Sequence, residues 1–381
     1  MVARHHQPLR HLPLLSHIAS LLKTNAVLVV ALLAACITSV IVPPDAAYLT
    51  YLDFKTLTCL FCTLAIICAL RNIRFFTVIA KKLVSLTGSI RRAILAILCI
   101  TFIGSMLIAN DMALITFLPL GYLVLSTTGQ EKHMAFTFIM QNIAANLGGM
   151  LTPFGNPQNL FLYNKFNIPT GEFMAIMLLP FLVAIALIVL SCFLFVKDQP
   201  ITLQKKESAR LPVKRTALYL VLFALSIVIV FRVIPYVIGL ILIPAVLIVA
   251  DRKALKQVDY GLLLTFVCFF IFAGNMSRID AVNDLLSALL NQNTLLVSAL
   301  SCQVISNVPS AILLSEFTGN YRDLLLGVNV GGTGTLIASL ASLITFRQYA
   351  AVDPTGTKRY LVAFSAFNFA FLAILLVVCS L

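Results

Sequence analysis

Apolar runs long enough to cross a lipid bilayer follow one another along almost the whole chain beyond residue 25, and the short gaps between them hold most of its basic residues. A helix crossing roughly 30 Å of hydrocarbon needs about 20 apolar residues. Spans of this kind lie at 25–42, 53–70, 135–165, 173–196, 216–232, 236–250, 259–274, 324–346 and 360–380. Of the 381 residues, 60% are hydrophobic and only 11% charged, and the mean hydropathy is +1.01. A water-soluble core of this size cannot hide so much apolar side chain. A cytosolic enzyme, a nucleic-acid-binding domain and a disordered chain are therefore excluded. The fold class that remains is an all-α polytopic membrane protein.

Two further apolar pieces, 92–127 and 294–318, are each interrupted near the middle by Asn and read as re-entrant hairpins. Short amphipathic stretches at 72–86 and 279–291 precede them and suit the membrane interface. Segment 1–24 is polar and mildly basic. The run after it ends in Pro43-Pro44-Asp45 and reads as a retained first helix rather than a signal peptide.

Cytoplasmic loops of membrane proteins are enriched in Lys and Arg. With the N-terminus placed inside, the inner segments are 1–24, 71–92, 126–134, 197–215, 251–258 and 347–360. All of the 27 Lys and Arg except Lys55, Lys165, Arg232, Arg278 and Arg322 then lie inside. The excess of +13 is thus explained by a membrane, with no nucleic acid partner. The nine cysteines lie in apolar segments, and Cys59-x-x-Cys62 has no second pair, so neither a disulfide framework nor a metal site is expected. His5, His6, His11, His17 and His133 all fall outside the spans. No cofactor is expected.

The chain matches itself in three places, in the same order. Residues 52–74 lie over 258–280, each opening with an Asp at a membrane edge. Ala109-Asn110-Asp111 lies over Ser306-Asn307-Val308, and 146–161 lies over 329–346. The last match keeps Asn146/Asn329, Gly148/Gly331, Gly149/Gly332 and Thr152/Thr335 in register. This order implies duplication. The first hairpin follows an inner loop and the second an outer one, so the repeats are inverted. They run over 25–196 and 236–381, with a basic linker and one extra helix over 197–235. Inverted repeats with broken helices are the architecture of secondary transporters.

Backbone groups left open in hydrocarbon cost several kcal/mol each, so breaks at membrane depth survive only where they line a cavity or meet a ligand. Four breaks are expected. Asn110-Asp111 carries the one acidic residue placed deep in the first half, and an intramembrane carboxylate is functional by default. Thr152-Pro-Phe-Gly155-Asn156-Pro-Gln158-Asn159 has two prolines and a glycine, which stop a helix, and amides able to meet an ion without fixed charge. Its upstream Asn146 belongs to the same site. Ser306-Asn307-Val-Pro309 is the partner of the first break but lacks a carboxylate. Asn329-Val-Gly-Gly332-Thr333-Gly-Thr335, followed by Ser339, is small and hydroxyl-rich, and tight helix packing explains it about as well as binding does. Half-helix N-termini favour anions, and half-helix C-termini favour sodium. A Na+ site near Asn110, Asp111 and Asn307 follows from this reading. No Lys or Arg is expected at the tips, which favours a small or weakly charged solute.

These residues resemble the ion transporter superfamily, which holds arsenite efflux permeases, citrate–metal symporters, divalent-anion/sodium symporters and one class of sodium/proton antiporters. "GGMLTPFGNPQN" at 148–159 and "GVNVGGTGTLIASLASL" at 327–343 resemble its two broken helices, and "AND" at 109–111 and "SNVP" at 306–309 its hairpin tips. The divalent-anion branch carries Ser-Asn-Thr at the tips, and this chain departs from it at both. The resemblance implies an elevator mechanism and a homodimer. The expected function is secondary active transport of an inorganic or small organic anion across the plasma (bacterial inner) membrane, coupled to H+ or Na+. The alternative is a Na+/H+ antiporter in which Asp111 exchanges the cations. An intramembrane enzyme lacks its His–metal, two-Asp or Ser–His groups, and a channel fits two broken-helix repeats less well than alternating access does. The charge bias predicts that a green fluorescent protein fused after residue 205 fluoresces while alkaline phosphatase there is inactive, and that fusions after residue 320 behave in the opposite way.

Overall fold

The computed structural model describes residues 26–201 and 211–381. The expectations for segment 1–24, for His5, His6, His11 and His17, and for the middle of the 197–215 linker fall outside the described residues. Those described form helices joined by short turns, and an isolated bridge between Ser89 and Pro200 is their one β pairing.

In chain order the main helices are α1 (Ala26–Ile41), α2 (Phe54–Asn72), α3 (Phe75–Val84), α4 (Ile90–Ile108), α5 (Asn110–Thr127), α6 (Met134–Gly148), α7 (Pro157–Lys165) and α8 (Thr170–Phe195). They continue as α9 (Val213–Val230), α10 (Tyr236–Ala250), α11 (Tyr260–Ser277), α12 (Asp280–Ile305), α13 (Asn307–Leu314), α14 (Tyr321–Val330), α15 (Leu340–Val352) and α16 (Thr357–Cys379). Among the described residues 8 helices are long and apolar enough to cross a membrane, and α1 and α10 are shorter apolar helices. The unbroken spans expected from the sequence coincide with α1, α2, α8, α9, α10, α11 and α16. The spans 135–165 and 324–346 are each interrupted, giving α6 and α7, and α14 and α15.

Local chemistry explains where these helices start. Asp53 caps α2 by accepting from the Thr56 amide at 2.9 Å, and Asp259 caps α11 by accepting from the Leu262 amide at 2.9 Å. The two aspartates aligned by sequence therefore do the same work, filling an orphan donor at a helix N-terminus. Pro157 opens α7, where its missing N–H costs nothing.

The two hairpins differ in build. α4 and α5 have 19 and 18 residues and are apolar along most of their length. The second pair is shorter. Asn293, with φ −161° and ψ 90°, kinks α12, and its Oδ1 accepts from the Leu296 amide at 2.8 Å to start a new helical piece. The amphipathic stretch expected at 279–291 is thus the first part of α12, and α13 has only 8 residues.

Polar contacts between loops respect the two-sided layout. Asp45 pairs with Arg278 at 2.8 Å and Lys165 with Glu316 at 2.7 Å, and Tyr321 donates to Glu172 at 2.6 Å. All six residues belong to loops or helix ends assigned to one face. Asn72 donates to Asp251 at 3.0 Å, Arg91 Nε to the Val196 carbonyl at 2.8 Å, and Lys132 to Gln199 at 3.4 Å, all on the other face.

Lipid tails are as apolar as the helices, so helices associate through close packing and interhelical hydrogen bonds. α4 packs along α6, and α12 packs along α14. Gly148 lets the first pair approach: a Cβ there would lie 2.2 Å from the Phe102 carbonyl oxygen and 2.8 Å from Ser105 Oγ. Gly331 does the same in the second pair against Ala299. Replacing Gly148 with Ala should destabilise the protein by about 1–3 kcal/mol through overpacking. Gly171→Ala, where nothing lies within 4 Å, is the control. Thermal denaturation in detergent should show a lower midpoint for Gly148→Ala alone.

Candidate functional site

Each hairpin turns on a single strained residue. Ala109 joins α4 to α5 with φ 60° and ψ 151°, and Ser306 joins α12 to α13 with φ 76° and ψ 159°. An L-residue adopts such angles at a cost of order 1–3 kcal/mol, and only where its surroundings over-determine it. The residue after each tip is Asn, and it closes the turn identically. Asn110 Oδ1 accepts from the Asp111 amide at 3.0 Å, and Asn307 Oδ1 accepts from the Val308 amide at 2.9 Å.

The two breaks in α6–α7 and α14–α15 meet at these tips. Asn146 is the hub. Its Oδ1 accepts from Asn110 Nδ2 at 3.1 Å and from Ser339 Oγ at 2.7 Å, while its Nδ2 donates to Asn142 Oδ1 at 3.3 Å. Gly332 lies between the halves: a Cβ there would be 3.1 Å from Asn307 Nδ2 and 3.9 Å from Asn146 Oδ1. Asn329 is the second junction. It donates to Asn159 Oδ1 at 2.6 Å and to the Leu325 carbonyl at 2.8 Å, and accepts from Asn156 Nδ2 at 3.5 Å. All of these asparagines are buried.

The open backbone of the first break is closed by side chains. Asn159 Nδ2 faces three carbonyls, those of Gly149 (3.2 Å), Met150 (3.2 Å) and Thr152 (3.4 Å). Gly155 abuts this turn, and a Cβ on it would lie 2.2 Å from the Gly149 carbonyl oxygen. Thr152 Oγ1 donates to the Met106 carbonyl at 2.9 Å, and Thr335 Oγ1 donates to the Gln303 carbonyl at 3.0 Å. Met106 and Gln303 each lie three residues before a tip, so the two threonines occupy equivalent positions.

The structure therefore brings Asn110, Asn146, Asn156, Asn159, Asn307, Asn329 and Gly332 together. It turns the hydroxyls of Thr152, Thr335 and Thr333 onto backbone carbonyls, Thr333 onto that of Val330 at 2.7 Å. Ser306 Oγ donates to the Ala338 carbonyl at 3.3 Å. A hydroxyl that donates in this way keeps lone pairs free. Asp111 is half-buried beside Asn110, and its Oδ1 is shielded from solvent with no hydrogen-bond partner in the protein. Asn156 Oδ1 and Gln158 Oε1 share that condition.

Several residues of the cluster escaped the motif reading. Asn142 donates to Ser342 Oγ at 3.2 Å and to Asn368 Oδ1 at 3.4 Å. Asn142 was visible as a second polar residue one helical turn before Asn146, and Asn368 as a lone amide within the last apolar span. The Arg71 guanidinium, at the end of α2, lies 3.8 Å from Met112 Sδ, next to Asp111. Nothing in the sequence relates α2 to that tip.

Two breaks joined by amides within a helical membrane protein are what the comparisons with known proteins bear on. Residues 17–320 match the family model described as citrate transporter. The chain belongs to the citrate transporter family. It is 34% identical over 297 residues to an uncharacterized transporter of Methanocaldococcus jannaschii, covering 77% of this chain and 81% of that protein. It is 30% identical over 282 residues to the inner membrane protein YbiR of Escherichia coli, covering 72% and 74% respectively. A 46 kDa membrane protein of Mycobacterium leprae is 25% identical over 340 residues. The resemblance read from the motifs holds. The chain is an integral membrane transporter, and its role is transport rather than catalysis.

In this transporter Asn159 faces three carbonyls of the first break, and Asn156 Nδ2 donates to a further one, that of Asn146, at 3.3 Å. Asn159→Leu keeps the volume and removes the side-chain donor facing the Gly149 and Met150 carbonyls, while the Thr152 carbonyl keeps the Gly155 amide at 3.2 Å, so it should destabilise the fold by about 1–3 kcal/mol for each carbonyl left without a partner. A thermal-shift assay should show a lower midpoint than that of Gln158→Leu, whose Oε1 has no partner to lose.

Proposed function

We propose that the transporter carries an inorganic or small organic anion by secondary active transport, coupled to H+ or Na+, with its solute held where the two breaks meet. The observation that carries this reading is the buried asparagine cluster joining both breaks, with unpartnered acceptor oxygens on Asp111, Asn156 and Gln158 at its edge. Buried polar groups without partners are rare in folded proteins. Acceptor oxygens suit a cation or a solute bearing O–H donors. Asn110, Asp111, Asn146, Thr152, Gly155, Asn156 and Asn159 form one half-site, and Ser306, Asn307, Asn329, Gly332, Thr333 and Thr335 the other. Asp111, with Asn110 and Asn307 of the two tips, takes the coupling ion.

The family's description points to citrate. Among the described hydrogen bonds no Lys or Arg donates to a site asparagine, and the Arg71 guanidinium contacts Met112 Sδ instead. A solute of low net charge fits such a site, and citrate bound to a divalent metal ion meets that requirement better than free citrate does.

The shared tip angles, tip Asn turns, Thr–carbonyl bonds and Gly approaches support two repeats, 25–196 and 236–381, flanking the linker and extra helix at 197–235. Their inverted relation and a cytoplasmic N-terminus follow from the charge bias, with the plasma (bacterial inner) membrane as the location. Elevator movement and a homodimer follow from the resemblance. The Na+/H+ antiporter reading draws on the shielded, unpartnered Asp111 Oδ1 and differs in needing no anion.

Counterflow in proteoliposomes with arsenite, phosphate, sulfate, citrate with Mg2+, and sodium, with and without a pH gradient, tests this proposal. One anion should exchange saturably, whereas sodium flux without any anion would favour the antiporter. Asp111→Asn should cut gradient-driven uptake by at least about tenfold, equivalent to about 1.4 kcal/mol, while the protein still inserts. Retention of full coupling in that variant would refute the role given to Asp111.

A further inference from the structure

Three residues before its tip, the first hairpin carries Met106 and the second carries Gln303. The Gln303 side chain reaches across to the second break. Its Nε2 faces the carbonyls of Gly331 at 2.9 Å and Thr333 at 3.1 Å, as well as that of Ala299 on its own helix at 3.0 Å, and its Oε1 accepts from the Thr335 amide at 2.8 Å. Gly334 is shaped around it. Its φ is 117°, and a Cβ there would lie 2.1 Å from Gln303 Oε1, so glycine is required on both counts.

Further bonds tie the second hairpin to the same break. Thr335 Oγ1 donates to the Gln303 carbonyl at 3.0 Å, and the Asn307 amide and Ser306 Oγ both donate to the Ala338 carbonyl, at 3.0 Å and 3.3 Å. The first half is fastened differently. Its break is closed by Asn159, which belongs to the same broken helix, not to the hairpin. At the level of the break, the described bonds from the first hairpin are those from Thr152 Oγ1 to the Met106 carbonyl and from Asn110 to Asn146.

We infer that Gln303 is a positioning residue that clamps the second broken helix to its hairpin, so that the first hairpin is the part of the site that yields when it opens. The amide stands where a ligand would otherwise be needed, donating to carbonyls of the break and accepting from one of its N–H groups. The second half-site is thereby preset. At the breaks and tips the acceptors without partners, on Asp111, Asn156 and Gln158, all lie in the first half, whose hairpin makes fewer bonds to its break, although Gln141 on α6 donates to Thr101 and to the Phe117 carbonyl farther along its arms. The consequence for transport rests on the reading of the two breaks as one solute site. The clamp does not depend on it.

Hydrogen–deuterium exchange on the purified full chain in lipid nanodiscs tests the clamp without any solute, so its outcome is separate from that of the counterflow screen. Exchange reports local opening. In the wild type, residues 303–310 and 329–340 should exchange at least about tenfold more slowly than residues 106–113. Gln303→Met installs the side chain found in the first half. It should raise exchange over 303–310 and 329–340 by about tenfold and leave 106–113 unchanged. Gln303→Glu keeps an oxygen that accepts from the Thr335 amide but loses the NH2 group that serves the carbonyls, and should restore protection at the Thr335 amide alone. Equal wild-type rates at the two tips would overturn the inference. So would wild-type protection over 329–340 in both variants, since Met and Glu fill the same space and only the amide bonds differ. If Gln303→Met fails to fold, the wild-type ordering and Gln303→Glu decide.

Discussion

An unwound backbone inside lipid has no water to bond to, and this protein unwinds twice in one place. Its remedy is the carboxamide. A single Asn or Gln offers two donors and an acceptor without carrying a charge into the membrane, where a charge is expensive. Asn159 covers carbonyls of the first break and Gln303 those of the second, while Asn146 and Asn329 tie each break to the opposite half. Without these amides the breaks would either close into helix or leave several polar groups unmet. The tips, the glycine approaches and the cluster that holds the candidate site all depend on them.

Strain marks the same region. Ala109 and Ser306 hold backbone angles that only glycine adopts freely, each at a junction between two helices and each followed by an Asn that closes the turn. Neither residue type is chosen for the conformation. The conformation is imposed by packing: α4 against α6 and α12 against α14 fix the arms, and the tip takes whatever angles connect them. Stored strain beside unpartnered acceptors is a usual feature of a site that changes state on binding.

The supporting helices contribute at their ends. The N-terminal ends of α2 and α11 are capped by aspartates, and polar contacts gather the loops of each face. Asn275 on α11 donates to Thr38 and Ser39 of α1, so even the pairing that flanks the site uses an amide in an apolar setting. The candidate site is thus built from unwound breaks and hairpin tips held between helix ends.

Much of this was legible in the residues. Apolar length marked α1, α2, α8, α9, α10, α11 and α16, because a membrane span is a one-dimensional requirement on the chain. Proline and glycine marked the first broken helix and glycine the second, and the repeated Asn-x-Gly-Gly and tip motifs marked which segments correspond. The motif asparagines Asn110, Asn146, Asn156, Asn159, Asn307 and Asn329 did converge. The sequence could not place Arg71 beside Met112, Asn368 beside Asn142, or the Gln303 amide upon Gly331 and Thr333. Nor did it show that Thr152 and Thr335 bond to hairpin carbonyls, or that Asn293 rather than a loop divides α12. These contacts join residues far apart in the chain, and hydropathy carries no information about which helix faces which. Sequence alone determined where the chain crosses lipid and where it must break, because both follow from local composition. Only the tertiary structure decided how each break is satisfied, because that depends on which distant amide the packing brings within hydrogen-bonding reach.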